Sequence, residues 1–341
     1  MTAPNSNCEP LLSVERLVTD LDVRGGLLAP RRRLRAVDDV CLQLARGRTL
    51  GLVGESGCGK STLARTILRL TPASSGRVWF DGLDWLGLSA AALRHQRRRM
   101  QVVFQDPFGS LNPRLTIGAQ LAEPLVVHRV VRGRGAVRER VAALLCQVGL
   151  RAADAGRYPH EFSGGQRQRV CIARALACEP ALIIADEPVS ALDVSIRAQV
   201  LNLLADIQKQ SGVAYLLIAH DLAVVRAACD DVAVMYLGRI VESAPCRVLF
   251  DDPRHPYTRA LLAAELPARR AARGDLPVLS GEPPSPLDPP TGCAFHPRCP
   301  HAQEICRRER PTLTAHPAPG SLHRVACHLA ESLPVHDPRA A

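Results

Sequence analysis

The sequence predicts an α/β fold built around sites for phosphate groups, and three short segments carry that prediction. A glycine-rich loop runs from Gly54 to Ser61, a second glycine element spans Phe162–Gln166, and the acidic pair Asp186-Glu187 ends an apolar run. Backbone N–H groups exposed at the start of a helix attract anions, so the chain carries two phosphate-seeking surfaces. We therefore expect an α/β core whose loops bind phosphate.

The first segment is a complete phosphate-binding loop. It matches the pattern G-x-x-x-x-G-K-[ST] at Gly54, Glu55, Ser56, Gly57, Cys58, Gly59, Lys60 and Ser61, with Thr62 directly after it. The apolar run 50–53 predicts a strand before the loop, and helical spacing over 62–70 predicts a helix after it. In this context Lys60 supplies charge to the β- and γ-phosphates, and Ser61 offers a hydroxyl to Mg²⁺. The loop therefore predicts a site for the phosphates of a nucleotide with Mg²⁺, and taken alone it is equally typical of kinases, GTPases and motors.

The second glycine element and the acidic pair follow one another along the chain. Ser163, Gly164, Gly165 and Gln166 precede an amphipathic helical pattern. Taken alone, they are equally well interpreted as a surface turn that caps this helix. The apolar run 181–185 then predicts a buried strand ending at Asp186 and Glu187. There we expect Asp186 to hold Mg²⁺ and Glu187 to polarise the attacking water.

The order of these motifs resembles that of the ATP-binding cassette (ABC) family. In that family a signature loop closes over nucleotide held by a partner subunit, and the resemblance implies this role for Ser163–Gln166. Residues Ser190-Ala191-Leu192-Asp193 are similar to the loop through which partner subunits sense each other. Phe162 replaces the leucine commonest at its position and keeps an apolar anchor. The chain contains one cassette, so the resemblance implies a second, homologous or identical, from another chain.

Two single residues complete the site that the resemblance implies. Gln105 ends the apolar run 102–104, and the family's glutamine at this place contacts Mg²⁺ and the attacking water. His220 ends the run 213–219, which predicts a strand buried on both faces, and the family's histidine touches the γ-phosphate. Outside this series, an isolated glutamine or histidine would indicate only a structural residue.

The usual aromatic platform for adenine is missing. Residues 24–48 contain no Phe, Tyr or Trp, but they include the basic run Arg31-Arg32-Arg33-Leu34-Arg35. An arginine can stack on adenine through its guanidinium plane. The other interpretation, which we favour, is a solvated charged segment.

Composition is that of an ordinary globular protein. The chain has 341 residues, 47% of them apolar, and a net charge of +10. Its apolar runs fall short of the roughly 18 residues that span a membrane, and Met1–Pro10 lacks a signal peptide's apolar stretch. We expect a peripheral protein on the cytoplasmic face of the inner membrane. Anionic lipid headgroups and polyphosphate account for the charge as well as nucleic acid does, and no nucleic acid is expected as a partner.

These placements predict two regions. Residues 11–250 should form the ABC ATPase cassette, a P-loop NTPase with a mixed sheet core and a helical subdomain inserted at about 106–175. Residues 251–341 should form a small Cys-rich C-terminal extension of the type found in oligopeptide importers. No internal repeat is present.

The C-terminal extension combines prolines with cysteines. A stiff, extended stretch is predicted by Pro277, Pro283, Pro284, Pro286, Pro289 and Pro290. It is followed by Cys293, Cys299, Cys306 and Cys327. The run 293–306, like the segment Asp252–Thr258, resembles the C-terminal segment of the dipeptide and oligopeptide importer branch.

Four thiolates suit a [4Fe-4S] cluster or a tetrahedral zinc ion. The family resemblance favours iron and sulfur, and four reduced, unliganded cysteines are the alternative. Metal binding would provide much of the folding free energy of the extension. The extension and the phosphate loop share no residues, so we expect loss of one cysteine to leave ATP binding intact.

The resemblance implies an ATP-hydrolysing subunit that powers import of peptides or similar small solutes. Its implied partners are a second cassette subunit, two transmembrane permease subunits and, indirectly, an external solute-binding protein. The alternative is a soluble ABC ATPase of DNA repair or translation, although neither the coiled-coil or zinc-hook insertion nor a second cassette is visible. A metal-binding scaffold with a vestigial cassette is disfavoured because Lys60, Glu187 and His220 are all present.

Overall fold

The computed structural model describes residues 9–24, 31–190, 192–265, 281–317 and 320–333. Its strands are β1 (Leu12–Arg24), β2 (Arg31–Leu44), β3 (Thr49–Val53), β4 (Ser75–Phe80), β5 (Leu83–Asp84), β6 (Met100–Val103), β7 (Leu182–Asp186), β8 (Ala214–Ala219), β9 (Asp231–Tyr236), β10 (Arg239–Pro245), β11 (Thr314–Ala315) and β12 (Arg324–Val325). Its helices are α1 (Lys60–Ile67), α2 (Ala90–Gln96), α3 (Pro107–Ser110), α4 (Ile117–Val127), α5 (Arg134–Gln147), α6 (Gly164–Leu176), α7 (Val194–Ser211), α8 (Leu222–Ala228), α9 (Cys246–Asp251), α10 (Pro256–Glu265) and α11 (Glu304–Arg308). The predictions made for the first eight residues, Ala191 and Pro277 lie outside these ranges.

The apolar runs form strands where the sequence predicts them. The runs 50–53, 181–185 and 213–219 become β3, β7 and β8, whose residues are buried throughout. Continuous apolar runs of this length suit strands with both faces covered. Helix α1 follows the phosphate loop as predicted and ends at Ile67. The α/β core is confirmed.

The chain forms two compact units. The phosphate-loop unit comprises Leu11–Gln43, Leu50–Leu86 and Ala219–Ala341, and the signature unit comprises Met1–Pro10, Leu44–Thr49 and Gly87–Ile218.

The phosphate-loop unit contains two sheets. In its core sheet, β9 pairs in parallel with β3 and antiparallel with β10, and β10 continues to β12 and β11. This part of the core is therefore a mixed sheet, as predicted. A four-stranded antiparallel sheet has the order β2-β1-β4-β5. In the C-terminal region, β12 pairs with β10 and β11 pairs with β12, which extends the core sheet by two short strands.

The signature unit is a parallel sheet with a group of helices. Strand β7 pairs in parallel with both β6 and β8, which places the ends of β6 and β7 at the same edge. Helices α3 to α6 occupy most of the segment 106–175, where we predicted helices. Apolar side chains between them are buried, and Leu121, Leu144 and Ile172 are fully buried. Within the described ranges, no helix is both long enough and apolar enough to cross a membrane.

Candidate functional site

The phosphate loop joins β3 to α1, and the side chain of its lysine is hydrogen-bonded to the backbone of the loop. The ammonium of Lys60 donates hydrogen bonds to the carbonyl oxygens of Gly54, at 2.7 Å, and Glu55, at 2.9 Å. The Lys60 side chain is buried. These two bonds fix a positive charge inside the curve of the loop, where a polyphosphate needs it.

The glycines of the loop are required by close backbone approaches. Gly59 has φ of 110°, and a Cβ there would lie 2.2 Å from the carbonyl oxygen of Ala36. A Cβ on Gly54 would lie 2.2 Å from the carbonyl oxygen of Met235. Only glycine fits both positions. Gly59 is also the N-cap of α1 and provides no side-chain cap, which suits a helix start that receives an anion.

The remaining loop residues line the exposed side and the start of α1. Ser56 and Gly57 are exposed, whereas Ser61 and Thr62 are half-buried in the first turn of α1. Cys58 is buried, and burial raises the pKa of its thiol. Cys58 is therefore a neutral packing residue within the loop.

In the signature unit, the structure brings Gln105 and Glu187 together. Gln105 follows β6 and Glu187 follows β7, and these parallel strands end at one edge. The amide nitrogen of Gln105 donates to Oε2 of Glu187 at 2.8 Å. Glu187 has φ of 47°, a left-handed conformation that is uncommon outside glycine and that clusters at functional sites. Asp186, the last residue of β7, is buried. The carboxylate of Glu187 is therefore held in one orientation at the edge where β6 and β7 end.

His220 follows β8 directly and is exposed, although the whole of β8 is buried. The next residue, Asp221, caps α8 by accepting hydrogen bonds from the N–H groups of Ala223 and Val224. His220 therefore stands at the turn between β8 and α8, after the strand that the sequence predicts.

The signature element starts α6 with a reciprocal cap. The hydroxyl of Ser163 accepts from the N–H of Gln166 at 3.3 Å, and the amide oxygen of Gln166 accepts from the N–H of Ser163 at 3.0 Å. The surface-turn interpretation is thus correct as a description of local structure. It does not compete with anion binding, because a well-formed helix start presents its N–H groups outward. Gly165 is buried, and a Cβ there would lie 2.5 Å from Ile196.

Helix α6 also contacts the segment after Gln105 through two of its arginines. The guanidinium of Arg167 lies over the ring of Phe108, 4.1 Å from its centroid. Arg174, two turns further along, donates to the carbonyl oxygen of Ser110. The Phe108 side chain is nevertheless exposed. The segment after Gln105 is therefore in contact with the helix that carries the signature element.

Part of the basic run upstream of the phosphate loop forms ion pairs. Arg35 donates to Asp20 at 3.0 Å, and Arg33 lies 4.0 Å from the same carboxylate. The hydrogen bond to Asp20 raises the pKa of Arg35. These pairs stand in the phosphate-loop unit, between neighbouring strands β1 and β2.

The four cysteines of the C-terminal extension gather in one neighbourhood. The thiol of Cys327 interacts electrostatically with Cys293, Cys299 and Cys306, and burial raises its pKa to about 11. The N–H of Cys293 donates to the carbonyl oxygen of Cys306 at 2.8 Å. Across the described part of the chain, however, no group of three or more Cys, His, Asp or Glu side chains is arranged to hold a metal ion. The donors suit a soft metal by their chemistry, but their present arrangement is not a coordination site.

Sequence reasoning missed the contacts that join this extension to the phosphate loop. Arg298 donates to both carboxylate oxygens of Glu55, at 2.8 and 2.9 Å, and the hydroxyl of Tyr257 accepts from the Glu55 N–H at 2.8 Å. The two sites share no residue, but these hydrogen bonds place them in direct contact. Tyr257 and Arg298 lie in the segments 252–258 and 293–306. The sequence indicated these segments by their resemblance to the importer branch but gave neither residue a role.

Comparisons with known proteins give one consistent result. The family model described as ABC transporter matches residues 37–190, and the one described as Oligopeptide/dipeptide transporter, C-terminal region, matches residues 241–306. The chain is 53% identical to a probable peptide ABC transporter ATP-binding protein of Sinorhizobium fredii, covering 94% of this chain and 90% of that protein. It is 49% identical to an oligopeptide transport ATP-binding protein of Bacillus subtilis, covering 96% and 99%.

Solved structures agree with the fold. A dimeric, post-hydrolysis ATP-binding cassette bound to ADP and phosphate matches with a TM-score of 0.62 and 28% identity, covering 69% of this chain and 99% of that one. The ABC cassette fold is therefore confirmed. The relatives are named for peptide transport, so the alternative of a soluble ATPase in DNA repair or translation is not favoured.

Proposed function

This chain belongs to the ATP-binding subunits of ABC transporters, in the branch that carries the oligopeptide/dipeptide C-terminal region, and we propose that it hydrolyses ATP to power import of peptides or similar small solutes. The observation that carries the ATPase activity is the phosphate loop with Lys60 fixed across it. The solute class rests on the named relatives. The permease is formed by other chains.

Nucleotide binding is assigned to the phosphate loop and the start of α1. Lys60 neutralises the β- and γ-phosphates, and backbone N–H groups of the loop after Glu55 receive their oxygens. Mg²⁺ takes oxygen ligands, and the hydroxyl of Ser61, the carboxylate of Asp186 and the amide of Gln105 would hold it. The Gln105 nitrogen is engaged by Glu187, and this leaves its oxygen for the cation. When bound, Mg²⁺ neutralises charge on the phosphate oxygens.

Hydrolysis is assigned to Glu187, Gln105 and His220. Glu187 accepts a proton from the attacking water, and Gln105 orients that carboxylate through its hydrogen bond. His220 donates to a γ-phosphate oxygen. A carboxylate held at one orientation before the water arrives spends no free energy on reorganisation during the reaction.

ATP is proposed to bind between two cassettes. Ser163 to Gln166 would contact the nucleotide of the partner subunit, with the N–H groups at the start of α6 directed at its phosphates. Closure would move the segment after Gln105, which α6 holds through Arg167 and Arg174, and this segment would pass the motion to a pair of permease subunits. An external binding protein would deliver the solute. The subunit would lie peripherally at the cytoplasmic face of the membrane.

The proposal is tested by reconstituting the chain with its permease, second cassette and binding protein in vesicles. We expect uptake of labelled peptide that depends on ATP, and ATP hydrolysis that rises when peptide-loaded binding protein is added. The same complex with Lys60→Ala in this chain is the control and should show neither. ATP hydrolysis that ignores the permease and the peptide would contradict the transport function.

The C-terminal region, 251–341 after a cassette of 11–250, is proposed to hold a [4Fe-4S] cluster, with zinc as the alternative. Support comes from the gathering of Cys293, Cys299, Cys306 and Cys327 and from the preference of thiolates for soft metals. Because the thiols are not arranged as ligands, binding requires local rearrangement of this segment. The role would be structural, since metal binding contributes free energy to the fold that holds it.

We expect protein purified without oxygen to be brown and to contain iron and sulfide. Cys306→Ser should remove the colour and make the extension easier to cleave by protease. Cys146→Ser, which changes an exposed cysteine on α5, is the matched control and should change neither property. If elemental analysis finds stoichiometric zinc and no iron, the proposed cluster is wrong and the site binds zinc. If it finds no metal, the four cysteines are unliganded.

A further inference from the structure

One residue of the phosphate loop is held at three points, and two of them belong to the C-terminal extension. The N–H of Glu55 donates to the hydroxyl of Tyr257 at 2.8 Å. Its carbonyl oxygen accepts from Lys60 at 2.9 Å. Its carboxylate accepts two hydrogen bonds from Arg298, at 2.8 and 2.9 Å. The second residue of the loop is thereby fixed in position and direction.

The ion pair between Arg298 and Glu55 is largely removed from water. The side chain of Arg298 is 4% exposed and that of Glu55 is 23% exposed. Arg298 ends a 3₁₀ turn, 296–298, and its guanidinium lies 6.0 Å from the ring centroids of both Tyr236 and Phe295. The hydrogen bonds that Arg298 donates to Glu55 raise the pKa of Arg298. A bidentate, sheltered pair of this kind is stronger and more directional than a surface ion pair.

The partners of Glu55 stand on a rigid aromatic base. The rings of Tyr236, Tyr257 and Phe295 contact one another, with centroids 4.6 to 5.4 Å apart, and all three are buried. Tyr236 ends β9, directly after Met235, whose carbonyl oxygen lies where a Cβ on Gly54 would fall. The extension and the phosphate loop are therefore packed against the same strand end.

An uncompensated carboxylate in this position would oppose ATP binding. Glu55 stands within the loop that receives a polyphosphate, so its negative charge repels the ligand. The guanidinium of Arg298 neutralises that charge, because it is hydrogen-bonded directly to the Glu55 carboxylate. The pair also keeps the Glu55 carbonyl in place for Lys60, so that the loop is formed before ATP arrives and little ordering free energy is spent on binding.

We infer that Arg298 is a positioning residue for ATP binding, through which the C-terminal extension shapes the phosphate loop and neutralises Glu55. The inference rests on the proposed ATPase function. It assigns the extension a part in nucleotide affinity in addition to any metal that it holds.

The test measures ATP affinity, kcat and KM of the purified full-length cassette pair with substitutions in this chain. Arg298→Ala should weaken ATP binding about tenfold, with the change appearing in KM rather than kcat. Arg298→Lys should be intermediate, because it keeps the charge but not the bidentate geometry. Arg308→Ala is the matched control, since Arg308 pairs with Glu304 in the same extension and both are exposed. It should bind ATP like the wild type.

A charge rescue separates this role from simple structural support. Glu55→Gln combined with Arg298→Ala should recover most of the lost affinity, because no uncompensated carboxylate remains. Unchanged affinity in Arg298→Ala would overturn the inference, and so would weakened binding that the double substitution fails to restore. If Arg298→Ala does not fold, Arg298→Gln, alone and combined with Glu55→Gln, decides by the same criterion, because glutamine keeps a polar side chain without the charge. Failure of the wild-type protein to bind ATP would instead refute the proposed function.

Discussion

Glu187→Gln should bind ATP with near-normal affinity and hydrolyse it at least about a hundredfold more slowly, which is the scale of a positioned general base. The amide of glutamine cannot accept the proton of the attacking water. Its oxygen can still accept the hydrogen bond from Gln105, which spans 2.8 Å in the native protein, so the local structure should persist. With hydrolysis blocked, ATP should hold the cassette pair closed.

The measurements are nucleotide affinity, single-turnover hydrolysis and the size of the complex by gel filtration with ATP and Mg²⁺. Glu304→Gln, which changes an exposed carboxylate of α11, is the matched control and should hydrolyse ATP normally. Near-normal turnover in Glu187→Gln would show that another group activates the water.

Lys60→Ala should weaken ATP binding itself, by about 1.5–3 kcal/mol or roughly tenfold to a hundredfold, the contribution of a hydrogen bond to a charged group. The reason is the position of the ammonium, 2.7 Å from the Gly54 carbonyl and 2.9 Å from that of Glu55. Its removal deletes the charge that meets the phosphates and leaves both carbonyl oxygens without that donor. The loop should then be less well formed as well as less positive.

The chain contains a natural control for this change, because its other lysine is Lys209. Lys209 lies near the end of α7 with its side chain 79% exposed. Lys209→Ala should leave ATP affinity within twofold of the wild type, as expected for an exposed surface substitution. Equal affinities for Lys60→Ala and Lys209→Ala would mean that ATP binds elsewhere. Isothermal titration with ATP and Mg²⁺ measures both.

The structure also indicates how the two predicted kinds of site influence each other. A cysteine substitution that disorders the segment 293–306 would release Arg298 from Glu55, because Arg298 directly precedes Cys299. We therefore no longer expect Cys299→Ser to leave ATP affinity untouched. Cys327, which lies beyond this segment, should affect affinity less.

The sequence by itself determined the local parts of this protein. A phosphate loop, a strand that ends in a carboxylate, and a glycine-rich helix start each depend on a few consecutive residues, whose backbone geometry follows from residue type. Gly59 shows this, because its φ of 110° is open mainly to glycine. The apolar runs likewise predicted β3, β7 and β8, since burial on both faces leaves an unbroken apolar pattern.

Only the tertiary structure decided how distant segments meet. Arg298 and Glu55 are 243 residues apart, and Tyr257 and Glu55 are 202 apart, so no periodicity or spacing could pair them. Gln105 and Glu187 meet because parallel strands β6 and β7 are neighbours, a choice made by the packing of the sheet. The sequence also did not show whether the four cysteines are arranged as ligands of a metal ion. Local chemistry depends on the residues of short segments, whereas pairings between segments depend on the free energy of the whole packed chain.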